Sequence, residues 1–227
     1  MTKKIILLSG KLGSGKNQTS CYLKELVTND NKILLEGSFA KTLKTNIVSD
    51  FRPLSDLLNK KVDELKNLIN FVKQTPCGSF KVGDELTRLI EDFKLIADNF
   101  YENKTDISRT LLQIYGTNIF RDRVDKNYWI RCFINECRSS KFDVMTVTDV
   151  RFENEIFYLK DNLVDEFDII SIRIDRPAIN RNNLSDLHPS ETSLDNFKHW
   201  DYKIVNDGTL EDLKNKIVTI YNHIKEE

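Results

Sequence analysis

The residues best suited to chemistry lie near the N-terminus, in the stretch "ILLSGKLGSGKNQTS" that runs from Ile6 to Ser20. Gly10, four further residues, Gly15 and Lys16 fit the pattern G-x-x-x-x-G-K. Glycines in such a loop let backbone N–H groups turn inward around a phosphate with no Cβ in the way. A helix beginning after the loop adds unpaired N–H groups and the positive end of its dipole. Lys16 would then reach the β- and γ-phosphates of a nucleotide.

Asn17 departs from this pattern, because a Ser or Thr that ligates Mg²⁺ usually stands at its position. An amide oxygen is a weaker ligand than an aligned hydroxyl, but it is still a hard oxygen. Mg²⁺ keeps several waters and depends on substrate phosphates, so the change need not abolish metal use. Thr19 or Ser20 would supply a nearby hydroxyl. The alternative, a glycine-rich turn without a ligand, fits less well between a strand and a helix.

Strand-forming and helix-forming segments alternate along most of the chain, which predicts an α/β fold with a mostly parallel sheet. Apolar, β-branched runs predict strands, and apolar residues at helical spacing predict helices. The predicted strands are Lys4–Ser9, Lys32–Gly37, one ending near Thr148, Asp168–Pro177 and Tyr202–Gly208. The predicted helices are Lys16–Val27, Phe39–Val48, Ser108–Val124 with Ser108 as its cap, Asn127–Arg138, Glu153–Asn162 and Leu210–Ile224.

Two segments interrupt this alternation. Residues 50–107 place Leu, Lys, Asp and Glu at helical spacing, which predicts an all-helical insertion. Residues 1–49 and 108–227 would form the core around it. The polar stretch from Asn180 to Ser193 is predicted to be a mobile loop. "NDGT", Asn206 to Thr209, would contact a base or form a turn with Thr209 as a helix cap, and the turn is favoured.

Composition excludes several classes of protein. The net charge of the 227-residue chain is −1, which argues against a general affinity for nucleic acid or for membrane surfaces. No apolar stretch approaches 18 residues, so no membrane span is expected. The cysteine spacings fit neither a zinc site nor a redox motif, so reduced thiols and a cytoplasmic location are expected. A homodimer is the default for such an enzyme.

The strand that ends near Thr148 is followed by "DVRF", which suits a small kinase. Asp149 at the carboxyl end of a parallel strand can organise Mg²⁺ or an acceptor, and Arg151 can clamp a phosphate. A GTPase would need a motif such as N-K-x-D, which the chain lacks. Phosphoryl transfer also requires further positive charge. The candidates for it are Lys41, Arg109, Arg121, Arg123, Arg131, Arg151, Arg176 and Arg181.

Taken together, the motifs resemble those of the deoxynucleoside monophosphate kinases of tailed bacteriophages. The segments that carry the resemblance are "SGKLGSGKNQT", "SFAKTLK", "RTLLQIYGTNIFRDRVDKNYWI", "TDVRFENEI", "HPSET" and "IVNDGTLEDLKNKI". They cover roughly Lys3–Ser49 and Ser108–Ile217, and the motifs do not extend convincingly over residues 50–107. The resemblance implies a three-layer P-loop NTPase fold, a helical insertion for the acceptor nucleotide and a lid at about 176–195.

The resemblance also implies an activity, the transfer of a phosphoryl group from ATP to a deoxynucleoside monophosphate with Mg²⁺. In a viral chain this would take place in the host cytoplasm. Two alternatives remain open: a kinase for another phosphorylated acceptor such as dephospho-coenzyme A, and a nucleotide-binding protein without catalysis. No direct binding of nucleic acid is expected.

Residue roles follow from the same resemblance. For several of the residues a plainer interpretation remains: Trp129 as a core residue, Gly116 as a helix breaker, and Glu155 as a first-turn acid favoured by the helix dipole. The residues implied for ATP are Gly13, Ser14, Gly15, Lys16, Asn17, Gln18 and Thr19. Those implied for the acceptor are Ala40, Lys41, Arg109, Gly116, Thr117, Trp129, Asp149, Arg151 and Glu155. Catalytic roles fall to Lys16, Arg109, Arg151 and Arg176, and metal contacts, partly through water, to Asn17 and Asp149.

Overall fold

The computed structural model describes residues 2–47, 112–177 and 189–226. Helices and strands alternate through these residues, as the sequence predicts. The strands are β1 (Lys3–Ser9), β2 (Leu34–Gly37), β3 (Val144–Val147), β4 (Phe167–Asp175) and β5 (Tyr202–Val205). The helices are α1 (Lys16–Asn29), α2 (residues 40–47), the π-helix α3 (Ile114–Val124), α4 (Tyr128–Ser139), α5 (Glu153–Leu163), α6 (Pro189–Thr192) and α7 (Leu210–Glu226).

The five strands form one parallel sheet in the order β2-β3-β1-β4-β5. The central strand β1 pairs with β3 on one side and β4 on the other, so that Ile5 faces both Met145 and Ile169. Ile5 through Leu8 are fully buried. This explains the unbroken apolar run, because a central parallel strand is covered on both faces. The predicted α/β fold with a parallel sheet is confirmed.

Helices cover both faces of the sheet, and the alternation of side chains along β1 separates the two cores. Ile5 and Leu7 pack with residues of α4 and α5. Ile6 and Leu8 pack with residues of α1 and α7 on the other face. The described part of the sheet and its helices therefore makes the three layers that the sequence predicts.

Element boundaries differ from the predictions by one to three residues, with one larger exception. The polar stretch predicted to be a loop through Ser193 contains the short helix α6, Pro189–Thr192. Proline is well suited to the first turn of a helix, where its missing N–H costs nothing. Residues 50–107, Arg109 and residues 178–188 lie outside the described residues. Among the described helices, none is long and apolar enough to cross a membrane.

The chain divides into two compact units. The first unit consists of residues 1–40 and 125–227 and contains the whole sheet. The second consists of residues 41–124. The predicted boundaries of the insertion, at residues 50 and 107, fall outside the described part of the chain and stay a prediction.

The described cysteines differ sharply in their surroundings. Cys21, Cys132 and Cys137 are all free thiols, with Cys21 exposed and Cys137 buried. Burial raises the pKa of the Cys137 thiol to about 12 and also raises that of Cys132. The cause is the cost of placing a thiolate in an apolar environment.

We therefore expect Cys21 to react with iodoacetamide well before Cys137 in the folded protein. At about pH 8.5, the ordinary pKa of a thiol, Cys137 should resist alkylation until the protein is unfolded. Peptide mapping by mass spectrometry after timed alkylation would measure this. Equal labelling rates for Cys21 and Cys137 would contradict the burial of Cys137.

Candidate active site

The glycine-rich loop connects the carboxyl end of β1 to the start of α1, with its three glycines at positive φ. The φ angles are 156° at Gly10, 76° at Gly13 and 110° at Gly15. A Cβ added to Gly10 would lie 2.3 Å from the carbonyl oxygen of Ile174. Gly15 caps α1 without a side chain, and no acidic residue lies in the first turn. No side chain therefore caps the start of α1, which is the arrangement expected of a phosphate site.

Lys16 folds back over this loop. Its Nζ atom donates to the carbonyl oxygens of Gly10 at 2.6 Å and Lys11 at 2.9 Å. The ammonium group thus lies at the mouth of the loop, where a phosphate chain would pass. The predicted strand, loop and helix arrangement around Lys16 is present.

Two hydroxyl groups inside the loop are buried without a hydrogen-bond partner. They belong to Ser14 and Thr19, which are 1% and 0% exposed. An unsatisfied buried hydroxyl costs about 1–3 kcal/mol, so a native structure normally provides a partner. Phosphate oxygens or the hydration shell of a bound cation are suitable partners. This observation fits a nucleotide phosphate at the loop.

Asn206 supports the loop from behind, a role that the sequence did not reveal. Its Nδ2 atom donates to the carbonyl oxygen of Ser14 at 2.8 Å, and the residue is 8% exposed. A Cβ on Gly15 would lie 2.7 Å from the same nitrogen. Thr209 and Asp212 exchange hydrogen bonds at the start of α7, which agrees with the predicted turn and cap. The sequence singled out Asn206 only as the start of "NDGT", after a strand, and not as a support of the loop.

Asp149 follows β3 and binds the start of α2. Its carboxylate accepts hydrogen bonds from the Ser38 hydroxyl at 2.7 Å and from the amides of Phe39 and Ala40 at 3.2 and 2.9 Å. A carboxylate at a helix N-terminus is stabilised by the unpaired amides and the dipole. Asp149 therefore positions the segment after β2, while its predicted contacts with metal and acceptor stay a prediction.

Glu155 shapes the loop that carries Arg151. The buried carboxylate of Glu155 accepts from the amides of Arg151 at 2.6 Å and Phe152 at 3.0 Å. This favours the plainer interpretation of Glu155, a first-turn acid that holds backbone. Arg151 itself donates to the carbonyl oxygen of Ser190 at 3.4 Å. Glu155 thus acts on Arg151 through the backbone, and its predicted contact with the acceptor stays untested.

Two further arginines lie beside the loop. Arg176, predicted to be catalytic, donates to the carbonyl oxygen of Gly13 at 3.4 Å. Arg173 was not predicted, because the alternation of β4 gave it the appearance of an ordinary strand residue. It is 9% exposed, faces Ser9 in the parallel register, and donates to the Ser9 hydroxyl at 3.3 Å. Arg151 and Arg173 line one narrow cleft together with Gly10.

Trp129 and Ala40, predicted for the acceptor, also belong to the first unit. Trp129 is 9% exposed, and its ring meets that of Tyr128 edge-on at 4.7 Å between centroids. This burial favours the core interpretation that the sequence left open. Ala40 contributes its amide to Asp149. In the loop helix, Asn17 is exposed and Gln18 is partly exposed.

Three predicted acceptor residues belong to the second unit. Lys41 is exposed and Thr117 is buried. A Cβ on Gly116 would lie 2.7 Å from the Cδ2 atom of Leu43, so this glycine allows α3 to approach α2 closely. That packing accounts for Gly116 without a ligand. Arg109 lies outside the described residues.

Few oxygen donors are available near the loop for a cation. Within the described ranges, no group of three or more His, Cys, Asp or Glu side chains is arranged to hold a metal ion. Mg²⁺ is commonly bound by one or two carboxylates together with substrate phosphates and waters. The metal contacts predicted for Asn17 and Asp149 stay a prediction.

Comparison with known proteins decides the family. A sequence profile described as "Deoxynucleotide monophosphate kinase" matches residues 50–217, well over half of the chain. The chain belongs to the deoxynucleotide monophosphate kinase family. The match includes residues 50–107, over which the sequence motifs had not supported the resemblance. The family resemblance and the kinase activity inferred from the sequence are thereby confirmed.

Two individual relatives bear names of the same family, and two solved structures are also similar in part. A protein of Acanthamoeba polyphaga mimivirus, provisionally named a deoxynucleotide monophosphate kinase, is 28% identical over 226 residues, 95% of this chain and 94% of its own. The deoxynucleoside-5'-monophosphate kinase of Escherichia phage T5 is 27% identical over 114 residues, 50% of this chain and 44% of its own. Two structures of the Mycobacterium tuberculosis APS kinase align at a TM-score of 0.37 and 10–11% identity, covering 97% of this chain and 98% of theirs.

The kinase therefore transfers a phosphoryl group to a deoxynucleoside monophosphate, and the sequence-derived alternatives are not favoured. Its cations gather at the carboxyl edge of the sheet. Lys16, Arg151, Arg173 and Arg176 all lie on the loops or strand ends around Gly10 and Gly13. Ligands of open α/β sheets bind at this edge, next to the point where the strand order reverses.

Proposed function

We propose that this kinase uses ATP as its phosphoryl donor and that the loop from Gly10 to Thr19 binds the ATP phosphates. The observation that carries the proposal is the pair of buried, unpartnered hydroxyls of Ser14 and Thr19 at a glycine-rich loop, followed by a helix whose start has no side-chain cap. A triphosphate supplies acceptor oxygens for both hydroxyls and for the first turn of α1. Lys16 adds a positive charge that would contact the β- and γ-phosphates.

The contribution of the protein is positioning and neutralisation of charge, without a covalent intermediate. In-line transfer between two bound phosphates spreads negative charge over the equatorial oxygens of the transferred group. Lys16, Arg151 and Arg176 would neutralise that negative charge. Arg109, which lies outside the described residues, would be a fourth cation. Since these groups are oriented before the reaction, little reorganisation is needed when the charge develops.

We propose that Mg²⁺ accompanies the ATP, held through its phosphates and through the amide of Asn17, the hydroxyl of Thr19 and Asp149. The cation would neutralise charge on the β- and γ-phosphate oxygens. Asp149 already binds three donors at the start of α2, so its part in metal binding is expected to run partly through water. Ala40 and Lys41, at the start of α2, are proposed to meet the acceptor.

The test is an ADP-release assay with Mg²⁺-ATP and a panel of acceptors: dGMP, dTMP, dCMP, dAMP, modified cytidylates and dephospho-coenzyme A. We expect release to depend on at least one deoxynucleoside monophosphate. Stimulation by dephospho-coenzyme A alone would overturn the proposal. Tight binding of Mg²⁺-ATP without any turnover would instead indicate a protein that has lost catalysis. Parallel assays with an Asn17→Ser variant would show whether Asn17 limits the reaction.

We expect the Asn206→Ala substitution to weaken the binding of ATP and to leave the binding of the acceptor unchanged. The change removes the buried hydrogen bond to the Ser14 carbonyl, worth about 1 kcal/mol net, and leaves that carbonyl unsatisfied. We expect KM for ATP to rise about 5- to 10-fold, while KM for the acceptor stays nearly constant. Initial rates at varied ATP and acceptor concentrations would measure both constants.

The matched control for Asn206 is Asn162→Ala on α5. Asn162 also donates its side-chain amide to a carbonyl, that of Tyr158, but it is exposed and lies far along the chain from the loop. We expect this control to leave both KM values unchanged. An equal rise in KM for both substrates of Asn206→Ala would contradict a specific role in the ATP loop.

A further inference from the structure

Asp195 joins two cations beside the phosphate loop. Its Oδ2 atom lies 2.6 Å from Nζ of Lys11, and its Oδ1 atom lies 3.6 Å from a terminal nitrogen of Arg173. Lys11 belongs to the loop itself, whereas Arg173 belongs to β4. One carboxylate thus bridges the phosphate loop and the neighbouring strand, and neither the family motifs nor the sequence-derived sites include it.

The Arg173 end of this bridge is fixed. The Arg173 side chain is 10% exposed, it donates to Asp175 at 2.8 Å and to Ser9 at 3.3 Å, and its guanidinium lies 5.9 Å from the Trp200 ring. Planar guanidinium groups held by several partners have little freedom. Arg173 therefore anchors Asp195 at a defined place next to the loop.

The Lys11 end of the bridge is more exposed than the Arg173 end. The Lys11 side chain is 44% exposed and ends in a compact charge on a flexible four-carbon stem. It leaves the chain directly after Gly10, and its backbone carbonyl receives Nζ of Lys16. Lys11 lines the same narrow cleft as Arg151 and Arg173. Its ammonium group can therefore reach either Asp195 or an anion at the mouth of the loop.

We propose that Lys11 is an additional phosphate-binding residue of this kinase and that Asp195 is its competing counter-ion. A phosphate group at the loop must take the Lys11 ammonium away from Asp195. The competition lowers the affinity for nucleotide phosphates by the free energy of that ion pair, which is small because the pair is partly exposed. The inference rests on the proposed function in one respect, the binding of phosphate at this loop.

The proposal predicts a gain of affinity when Asp195 loses its charge. Asp195→Asn keeps the shape of the side chain, and we expect it to lower Kd for pyrophosphate about two- to five-fold, the range for a partly exposed ion pair. Lys11→Met should raise Kd, and Lys11→Arg should restore most of the loss. In the Lys11→Met background, Asp195→Asn should give no further gain. Asp195→Ser serves as a second variant if the amide disturbs folding.

Isothermal titration of the full-length protein with pyrophosphate would measure these constants. Glu25→Gln is the matched control, because Glu25 also forms an exposed pair with a lysine, Lys214 at 3.0 Å, in a later turn of α1. Like Asp195→Asn, Glu25→Gln removes one negative charge, so it shows any effect that the change of net charge has by itself. Equal Kd values for wild type and Asp195→Asn would overturn the proposal, as would a gain that persists in the Lys11→Met background or that Glu25→Gln reproduces.

Failure of this inference and failure of the proposed function are distinguishable. Adenosine, which carries no phosphate, should bind wild type and Asp195→Asn equally. If wild type turns over Mg²⁺-ATP with a deoxynucleoside monophosphate but Asp195→Asn does not bind pyrophosphate more tightly, only the competition is wrong. If wild type binds neither pyrophosphate nor ATP, both are wrong. A merely structural Asp195 would lower the melting temperature without tightening phosphate binding.

Discussion

Replacing Lys16 by methionine is expected to lower kcat by about 10²- to 10³-fold, the usual cost of removing one charged or hydrogen-bonding group from a transition state. The Lys16 ammonium lies over the loop, bound to the carbonyl oxygens of Gly10 and Lys11. The ammonium group can stay in contact with the transferred phosphoryl group while negative charge moves toward the leaving phosphate. Methionine keeps an unbranched side chain of similar length and removes the charge together with the two hydrogen bonds. Rates at saturating ATP and acceptor would measure the loss.

Lys24→Met is the matched control for this experiment. Lys24 lies on the same helix, is 59% exposed, and approaches Glu36 only to 3.8 Å. Because an exposed pair at this distance contributes little, kcat and the melting temperature should both stay near the wild-type values. A Lys16→Met enzyme with nearly wild-type kcat would contradict the assignment of the loop as the donor site.

Replacing Gly10 by alanine is expected to damage both the fold and the loop. The added Cβ would lie 2.3 Å from the Ile174 carbonyl oxygen and 2.5 Å from the Ser14 Oγ atom. The carbonyl belongs to the backbone of a central strand and cannot move without disturbing the sheet. Overpacking of this kind costs about 1–3 kcal/mol or more, which lowers Tm by roughly 2–4 °C per kcal/mol in a chain of this size.

Phosphate binding should also be lost in Gly10→Ala, because the loop must shift away from β4 to relieve the contact. Thermal unfolding followed by circular dichroism and titration with ATP would measure the two effects. Gly208→Ala is the control for crowding away from the loop, since the three atoms nearest to its added Cβ all belong to the Asp212 side chain and none to the backbone of a strand. A Gly10→Ala protein with wild-type Tm and ATP affinity would show that β4 does not constrain the loop.

The sheet and the phosphate loop could be predicted from local sequence because their signals are short and periodic. The buried run Ile5–Leu8, the glycines after it and the helical spacing beyond Lys16 specify strand, loop and helix without information from elsewhere in the chain. The cap formed by Thr209 and Asp212 is local in the same way. For such features each residue and its partner lie within a few positions of one another.

The support of the site could not be predicted, because it depends on contacts between distant parts of the chain. Asn206 reaches Ser14 across 192 positions, and Arg173 reaches Ser9 across 164. Arg173 follows the ordinary strand pattern of β4, and Asn206, although it opens "NDGT", gave no sign of a contact with the phosphate loop. The pairings of β1 with β4 and of β4 with β5 bring these side chains to the loop.

The tertiary structure also favours the plainer interpretation of three residues, while their predicted contacts with the acceptor stay a prediction. Trp129 is a buried ring, Gly116 is a point of close helix packing, and Glu155 holds the backbone before α5. Sequence by itself determined that a phosphate loop opens an α/β kinase, since glycine conformations and the apolar run are properties of a single segment. Which side chains hold that loop was decided by the parallel sheet, whose register places residues from β1, β3 and β4 at one edge.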